Sequence, residues 1–353
     1  MSRFFSTKYK TLVPYTPGEQ PKDAEYIKLN TNESPFSPSD KAIEMASQAT
    51  RELNLYPDPE CFELRKKTAQ MLRVSENEVL LTNGSDEILN FALMAFCDET
   101  HPEAFADITY GFYSVFAHIN NNPYIEIPLR NDFTIDINNY KGINKTIFVA
   151  NPNAPTGISL LREEIEEILK SNPCNVVVVD EAYVDFGNES CVGLINKYDN
   201  LLVTQTFSKS RSMAGARLGF GVANKELIRD LNTIKYSTNP YNINKMTMAA
   251  GLGVLYDEEY TKTNCQTIIN NREFTACELE KLGFFMTKSS ANFLFVNHPK
   301  ISGQEYYNKL RENGVLVRHF DKERICDYNR ITIGTQTQME KLIEVTKKIL
   351  EEM

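Results

Sequence analysis

From about residue 40 to residue 255, apolar residues recur in blocks that alternate between helical and strand spacing. Between Glu60 and Arg73 they stand at 61, 62, 64, 69, 71 and 72, which predicts an amphipathic helix. Val79-Leu80-Leu81 predicts a short strand, and Gly84-Ser85-Asp86-Glu87 opens an apolar helix through Cys97. Tyr113 to His118 follows a turn at Gly111. Thr146 to Ala150 predicts a strand, and Leu161 to Lys170 a charged amphipathic helix. Asn175 to Val179 is apolar on both faces, as a parallel sheet requires, and Leu201 to Thr204 is another strand. The alternation predicts an α/β fold, a mostly parallel central sheet flanked by helices.

The texture differs at both ends. The first ~30 residues have little periodicity, and Pro14 and Pro17 flank Tyr15; they predict an extended N-terminal arm. After Tyr256 a long polar helix is expected from Asp257 to Leu282. Short strands follow at Phe284–Met286, Phe293–Val296, Val315–Val317 and Arg330–Ile333, with helices at Gly303–Asn313 and Gln336–Glu352. The expected organisation is an arm (1–39), a large domain (40–255) and a smaller α+β C-terminal domain (256–353).

Composition narrows the function classes. The 353 residues carry 38 Lys plus Arg against 47 Asp plus Glu, a net charge of −9 that argues against a nucleic-acid or anionic-membrane partner. No apolar run approaches the ~18 residues of a membrane span. Met1-Ser2-Arg3-Phe4-Phe5 lacks the apolar stretch of a secretion signal, so a cytoplasmic protein is expected. Seven cysteines, none in Cys-x-x-Cys spacing, read as free thiols rather than a zinc or redox site. His118, His298 and His319 have no task, and no metal is expected.

In a parallel α/β sheet, ligands sit outside the carboxyl ends of the strands. Four predicted strands end in polar clusters: Asn83 to Glu87, Asn151 to Gly157, Asp180-Glu181-Ala182-Tyr183, and Thr206-Phe207-Ser208-Lys209 with Arg217 eight residues on. Each has a bland reading. Ser85 or Asp86 could be an ordinary helix cap, Asp180 a turn residue, Lys209 a solvated lysine, and Asn151 to Gly157 a Pro-rich turn. Together they offer a phosphate site, a carboxylate, a phenol, a lysine and an arginine. That set suits pyridoxal phosphate, which needs a Schiff-base lysine and an acid to keep its pyridine nitrogen protonated. Lys209 fits the amine, Asp180 the acid, and Tyr183 can reach the phenolic oxygen. A helix N-terminus beside Thr206, Ser208 and Arg217 fits the phosphate.

On these residues, with Leu29 to Pro35, Tyr56-Pro57-Asp58, Thr109-Tyr110, Ala214 to Arg217 and Arg330 to Gly334, the chain resembles the fold-type I pyridoxal-phosphate aminotransferases. Within that class it is similar to the histidinol-phosphate aminotransferase family, from the arm almost to the C-terminus. The resemblance implies a large domain around a mostly parallel sheet, a smaller α+β domain and a homodimer. It implies Lys209 as Schiff-base lysine and proton shuttle, Asp180 at the pyridinium nitrogen, Tyr183 at the phenolic oxygen and Tyr110 stacked on the ring. Ser85, Asp86, Thr206, Ser208 and Arg217 are implied at the phosphate, and Tyr56 is implied to reach it across a dimer interface. One position departs: relatives carry Asn immediately before Pro-Thr-Gly, where this chain has Ala154. Either Asn153 substitutes, or that hydrogen bond is missing.

The same resemblance implies the substrate. Arg330 matches a C-terminal arginine for anionic substrates, Arg318 a second one, and Tyr15 an arm tyrosine closing on the substrate phosphate. For Arg318 the bland reading is a surface ion pair with Asp321 or Glu323. The implied reaction converts L-histidinol phosphate and 2-oxoglutarate to imidazole-acetol phosphate and L-glutamate, a step of histidine biosynthesis. Two rivals share the constellation: a threonine-phosphate decarboxylase and a general aromatic aminotransferase.

Overall fold

The computed structural model describes residues 2–22 and 24–353. Its strands are β1 (Ile27–Lys28), β2 (Val79–Thr82), β3 (Glu103–Ala106), β4 (Tyr124–Ile127), β5 (Thr146–Ala150), β6 (Val177–Asp180), β7 (Leu201–Thr206), β8 (Gly219–Ala223), β9 (Phe285–Met286), β10 (Phe293–Asn297), β11 (Val315–Leu316), β12 (Arg318–His319) and β13 (Asn329–Thr332). The helices are α1 (Asp40–Ala49), α2 (Phe62–Leu72), α3 (Ser85–Phe96), α4 (Phe112–Asn120), α5 (Arg162–Ser171), α6 (Lys225–Thr238), α7 (Lys245–Tyr256), α8 (Glu258–Lys281), α9 (Gly303–Glu312) and α10 (Gln336–Glu351).

Seven strands form the central sheet in the order β2-β8-β7-β6-β5-β3-β4. The pairs from β7 through β4 are parallel, whereas β8 runs antiparallel to both β7 and β2. Two reversals restore direction, so β2, β5, β6 and β7 all end on one edge. That edge is where the polar clusters meet. The central strands are buried on both faces, with Val177, Val178, Val179, Leu201, Leu202 and Val203 inaccessible to solvent. One core cluster fills each face.

Strand β8 was not expected, because Gly219 and Gly221 interrupt its apolar pattern. Both glycines are needed by their neighbours. A Cβ on Gly219 would lie 2.5 Å from the Ser85 amide nitrogen, and one on Gly221 would lie 2.4 Å from Ile88 Cδ1.

The C-terminal sheet is β12-β13-β10-β9, antiparallel, backed by α8, α9 and α10 over its own core. Here the expected arm needs a correction. Ile27–Lys28 is a strand parallel to Val315–Leu316, and Leu29 is fully inside the C-terminal core. The stretch is too short and mixed for periodicity to show it. The expected strand at Val315–Val317 is likewise split, β11 pairing with β1 and β12 with β13.

Candidate active site

At the shared strand edge lies an inner cavity of about 260 Å3, opening beside an outer one of about 510 Å3. Lys209, Tyr110, Tyr183, Thr31 and Ala154 stand on both walls. Ser85, Asp86, Asp180, Thr206, Ser208 and Arg217 complete the inner wall; Tyr15, Arg318 and Arg330 line the outer one.

Each inner residue is placed by a strand end or helix start. Asp180 ends β6 and is buried. It accepts hydrogen bonds from Tyr113 Oη (2.9 Å) and Thr204 Oγ1 (3.2 Å). Burial raises its carboxyl to about 6, against the pull of those two donors. Lys209 follows β7 and donates from Nζ to the Thr31 carbonyl at 3.2 Å. Burial, reinforced by the Arg330 charge, lowers its ammonium to about 8. Tyr183 Oη accepts from Asn32 Nδ2 at 2.9 Å, and Asn32 is itself bonded to Thr332 of β13 and to Asn292, just before β10.

Gly84, at φ +79°, caps α3 without a side-chain hydrogen bond, so the first amides of the helix face the cavity edge. A Cβ there would lie 2.5 Å from Arg217 Nη2. Arg217 in turn reaches Asp86 Oδ2 (2.6 Å) and Ser208 Oγ (3.4 Å), and Thr206 Oγ1 bonds Ser208 Oγ at 2.9 Å. Asp86 Oδ1 also accepts from Tyr110 Oη at 2.6 Å. Helix amides, three hydroxyls and a guanidinium thus gather at one end, and the carboxylate of Asp180 stands deeper in.

The outer cavity carries two arginines side by side. Arg318 and Arg330 face each other in the antiparallel register of β12 and β13. Like charges directly opposite on paired strands repel. Among the described residues neither is in an ion pair. Arg318 bonds only the Thr16 and Pro17 carbonyls, and Arg330 the Asn30 carbonyl, with its Nε unpartnered. The surface ion pair of Arg318 with Asp321 or Glu323 is not formed; Asp321 stands 3.8 Å from His319 instead. Tyr15 stacks on Phe112 (4.2 Å, 25°) at the same mouth. His319 lines this cavity too, and its Nδ1 has no partner.

One residue expected at the inner cavity lies elsewhere. Asn153 does not line the inner cavity: its carboxamide is used by Thr109 Oγ1, the Ile108 carbonyl and Thr156 Oγ1. It therefore does not substitute at the Ala154 position, whereas Asn32 supplies an amide at Tyr183. Tyr56 is 80% exposed and stacked on Tyr241, away from its own chain's cavity. Sequence reasoning also missed Tyr113 and Thr204 at Asp180, and Glu33, which lines the inner cavity held by Lys28 and Thr31. Among the described residues no group of three His, Cys, Asp or Glu side chains could hold a metal.

Residues 24–345 match the family described as aminotransferase class I and II. A histidinol-phosphate aminotransferase from Brachyspira hyodysenteriae is 47% identical over 353 residues, 99% of this chain and 100% of that protein. The crystal structure of histidinol-phosphate aminotransferase from Sinorhizobium meliloti in complex with pyridoxal-5'-phosphate superposes with a TM-score of 0.89 at 20% identity, covering 99% of each chain. An L-threonine-O-3-phosphate decarboxylase from Porphyromonas gingivalis reaches 0.79 at 22% identity, covering 92% of this chain and 99% of that one. These two structural likenesses show the fold. The matched span and the near-full-length identity go further: the chain belongs to the class I and II aminotransferases and, among them, to the histidinol-phosphate aminotransferase family.

Proposed function

We propose that this site moves the amino group of L-histidinol phosphate to 2-oxoglutarate, using pyridoxal 5'-phosphate and yielding imidazole-acetol phosphate and L-glutamate. The observation that carries the reading is the Arg318–Arg330 pair, held opposite one another without a carboxylate, beside Lys209. Two guanidiniums on paired residues of neighbouring strands suit a dianion, and the phosphate of the donor supplies it. Tyr15 closes over the same anion.

The inner cavity fits the cofactor. Gly84 lets the Arg217 guanidinium lie against the start of α3, and the helix amides with Ser85, Thr206, Ser208 and Arg217 form a donor set for a phosphate. The Asp86 amide joins that set, while its carboxylate orients Arg217 and Tyr110. Tyr110 covers one face of the cavity. Asp180 would hold the proton of the pyridine nitrogen, and Tyr183 with Asn32 would hold the phenolic oxygen. When bound, the cofactor supplies an electron sink for removal of the proton on the donor's Cα.

The chain's own part is positioning and proton movement. Lys209 Nζ, with its ammonium lowered to about 8, is poised to take and return a proton near neutral pH. Arg318 and Arg330 fix the far end of the donor, so that its Cα faces Lys209. Arg330 also serves the carboxylate of 2-oxoglutarate in the return half-reaction.

We further infer a cytoplasmic homodimer, with the unit boundary near residue 255, at the end of α7. Exposed Leu53, Leu55, Tyr56, Phe62, Tyr236 and Tyr241 gather on neighbouring segments, an apolar surface suited to a second copy. Tyr56 on that surface would reach the partner's phosphate site. Among the described residues no helix is long and apolar enough to cross a membrane. Comparing kcat/KM for histidinol phosphate, tyrosine and threonine phosphate tests the reading. A preference for tyrosine, or carbon dioxide release from threonine phosphate, would replace it.

A further inference from the structure

Tyr113 is on α4, fully buried, and absent from the walls of both cavities. Its ring is held from three sides, by Phe105 (5.7 Å), Phe148 (5.6 Å) and, edge-on at 87°, Tyr110 (5.7 Å). The one side-chain hydrogen bond of its hydroxyl goes to Asp180 Oδ2. We propose that Tyr113 is a positioning residue for Asp180, its phenol keeping that buried carboxylate ionised and aimed into the inner cavity. The inference rests on the role proposed above for Asp180.

The argument is one of charge. Among the described residues Asp180 has no ion pair, so its negative charge is supported by dipoles alone: Tyr113 from α4, Thr204 from β7 and the backbone N–H of Ala182. Of the other titratable groups on the inner cavity, Lys209 and Arg217 form no ion pair with Asp180 among the described residues, Arg217 pairing with Asp86 instead, and the rest disfavour its charge or leave it unneutralised. Asp86, from α3, raises the Asp180 carboxyl by its own negative charge. Tyr110 and Tyr183 are neutral phenols that are themselves held up by burial and by Asp180. A neutral donor is the useful choice here. A guanidinium or imidazolium in place of Tyr113 would stabilise the carboxylate by neutralising it, leaving nothing for a pyridine nitrogen. A phenol stabilises the anion and leaves its charge available. Tyr113 also stays a donor at every working pH, because its hydroxyl is held well above its ordinary range by burial and by Asp180.

The contact between Tyr113 and Tyr110 extends the same support. Tyr110 is tied to Asp86 at its hydroxyl and to Tyr113 at its ring edge. One packed pair therefore sets both the carboxylate at the cavity floor and the ring at its side.

The test is Tyr113→Phe in the full chain, with Thr204→Val as a second variant that removes the weaker donor. Difference infrared titration, with Asp180→Asn to identify the band, reads the Asp180 carboxyl directly in protein free of added cofactor. The expected result is a midpoint raised by about one pH unit in Tyr113→Phe, and by less in Thr204→Val. In the cofactor-loaded enzyme, kcat should fall about tenfold while KM for the amino donor changes less than twofold and the thermal midpoint stays put. An unmoved infrared midpoint overturns the proposal, whatever the activity. A moved midpoint in an inactive wild-type protein would instead sustain it and overturn the transaminase reading. Should Tyr113→Phe fail to fold, Tyr113→Met, which also lacks the hydroxyl and whose flexible chain fills the space, takes its place, and an unmoved midpoint there overturns the proposal equally.

Discussion

Glu103 offers a prediction whose size follows from its surroundings. It begins β3, is fully buried, and among the described residues neither carboxylate oxygen has a hydrogen-bond partner. Burial alone raises its carboxyl to about 9. In the unfolded chain it titrates near ~4.3. Between those values the folded chain holds a proton that the unfolded chain has released. A raised folded-state pKa contributes stability that is fully present below ~4.3 and lost as pH rises toward 9, at about 1.4 kcal/mol per pH unit. At pH 7 that loss is on the order of 3–4 kcal/mol. Glu103→Met keeps the length and removes the ionisable group, so it should stabilise the protein at neutral pH. The gain should be small at pH 5 and grow by about 1.4 kcal/mol per unit to pH 8.5. Urea unfolding of both proteins at pH 5, 7 and 8.5 measures this. Glu103→Gln should lose the same slope with a smaller gain throughout, since an unpartnered buried amide costs ~1–3 kcal/mol. A difference between Glu103→Met and wild type that does not change with pH would refute the reasoning.

Three further outcomes concern the site. Arg318→Ala should lower kcat/KM for histidinol phosphate by ~2–5 kcal/mol equivalent and for tyrosine far less, whereas Arg330→Ala should damage both; equal losses in Arg318→Ala would reduce Arg318 to a structural residue. Lys209→Ala should abolish transamination with the thermal midpoint nearly unchanged, and turnover above a trace would remove Lys209 from its role. Mixing Tyr56→Phe with Lys209→Ala subunits should restore one intact site per mixed dimer, and activity no higher than the separate variants would place Tyr56 outside the partner's site.

The central fold was legible where both faces of a strand are apolar, as at Val177–Val179, or where a helix has one polar side, as at α5. It was obscure where a local residue answers to a distant one. Glycines in β8 serve Ser85 and Ile88, and Glu103 puts a carboxyl into a buried strand. In the site, Lys209, Asp180, Tyr183 and Arg217 stand at strand ends, and chain position alone marks them. Tyr113 does not, because a tyrosine within an apolar helix reads as packing; only its hydroxyl's partner, 67 residues on, distinguishes it. Asn32 lay in a noted motif, but its role depends on Thr332, 300 residues away. Asn153 shows the opposite error, since proximity in sequence to the cavity loop did not bring its side chain to the cavity.

That 300-residue separation has a consequence for synthesis. The seven strands of the central sheet are all present once residue 223 has emerged from the ribosome, and domains generally fold as units as the chain appears. Residues 27–32 cannot join then. Their partners are Val315, Leu316 and Thr332, made long after the central sheet. Until those arrive, Leu29 has no core to enter, and Thr31 and Asn32 cannot take their places against Lys209 and Tyr183. A nascent chain with a finished sheet thus carries residues 27–32 without their partners and a half-walled cavity. Closure of the cavity reports that residues 315–332 have been made. A ribosome stalled before residue 315 should display residues 27–32 to added protease while the central sheet resists it.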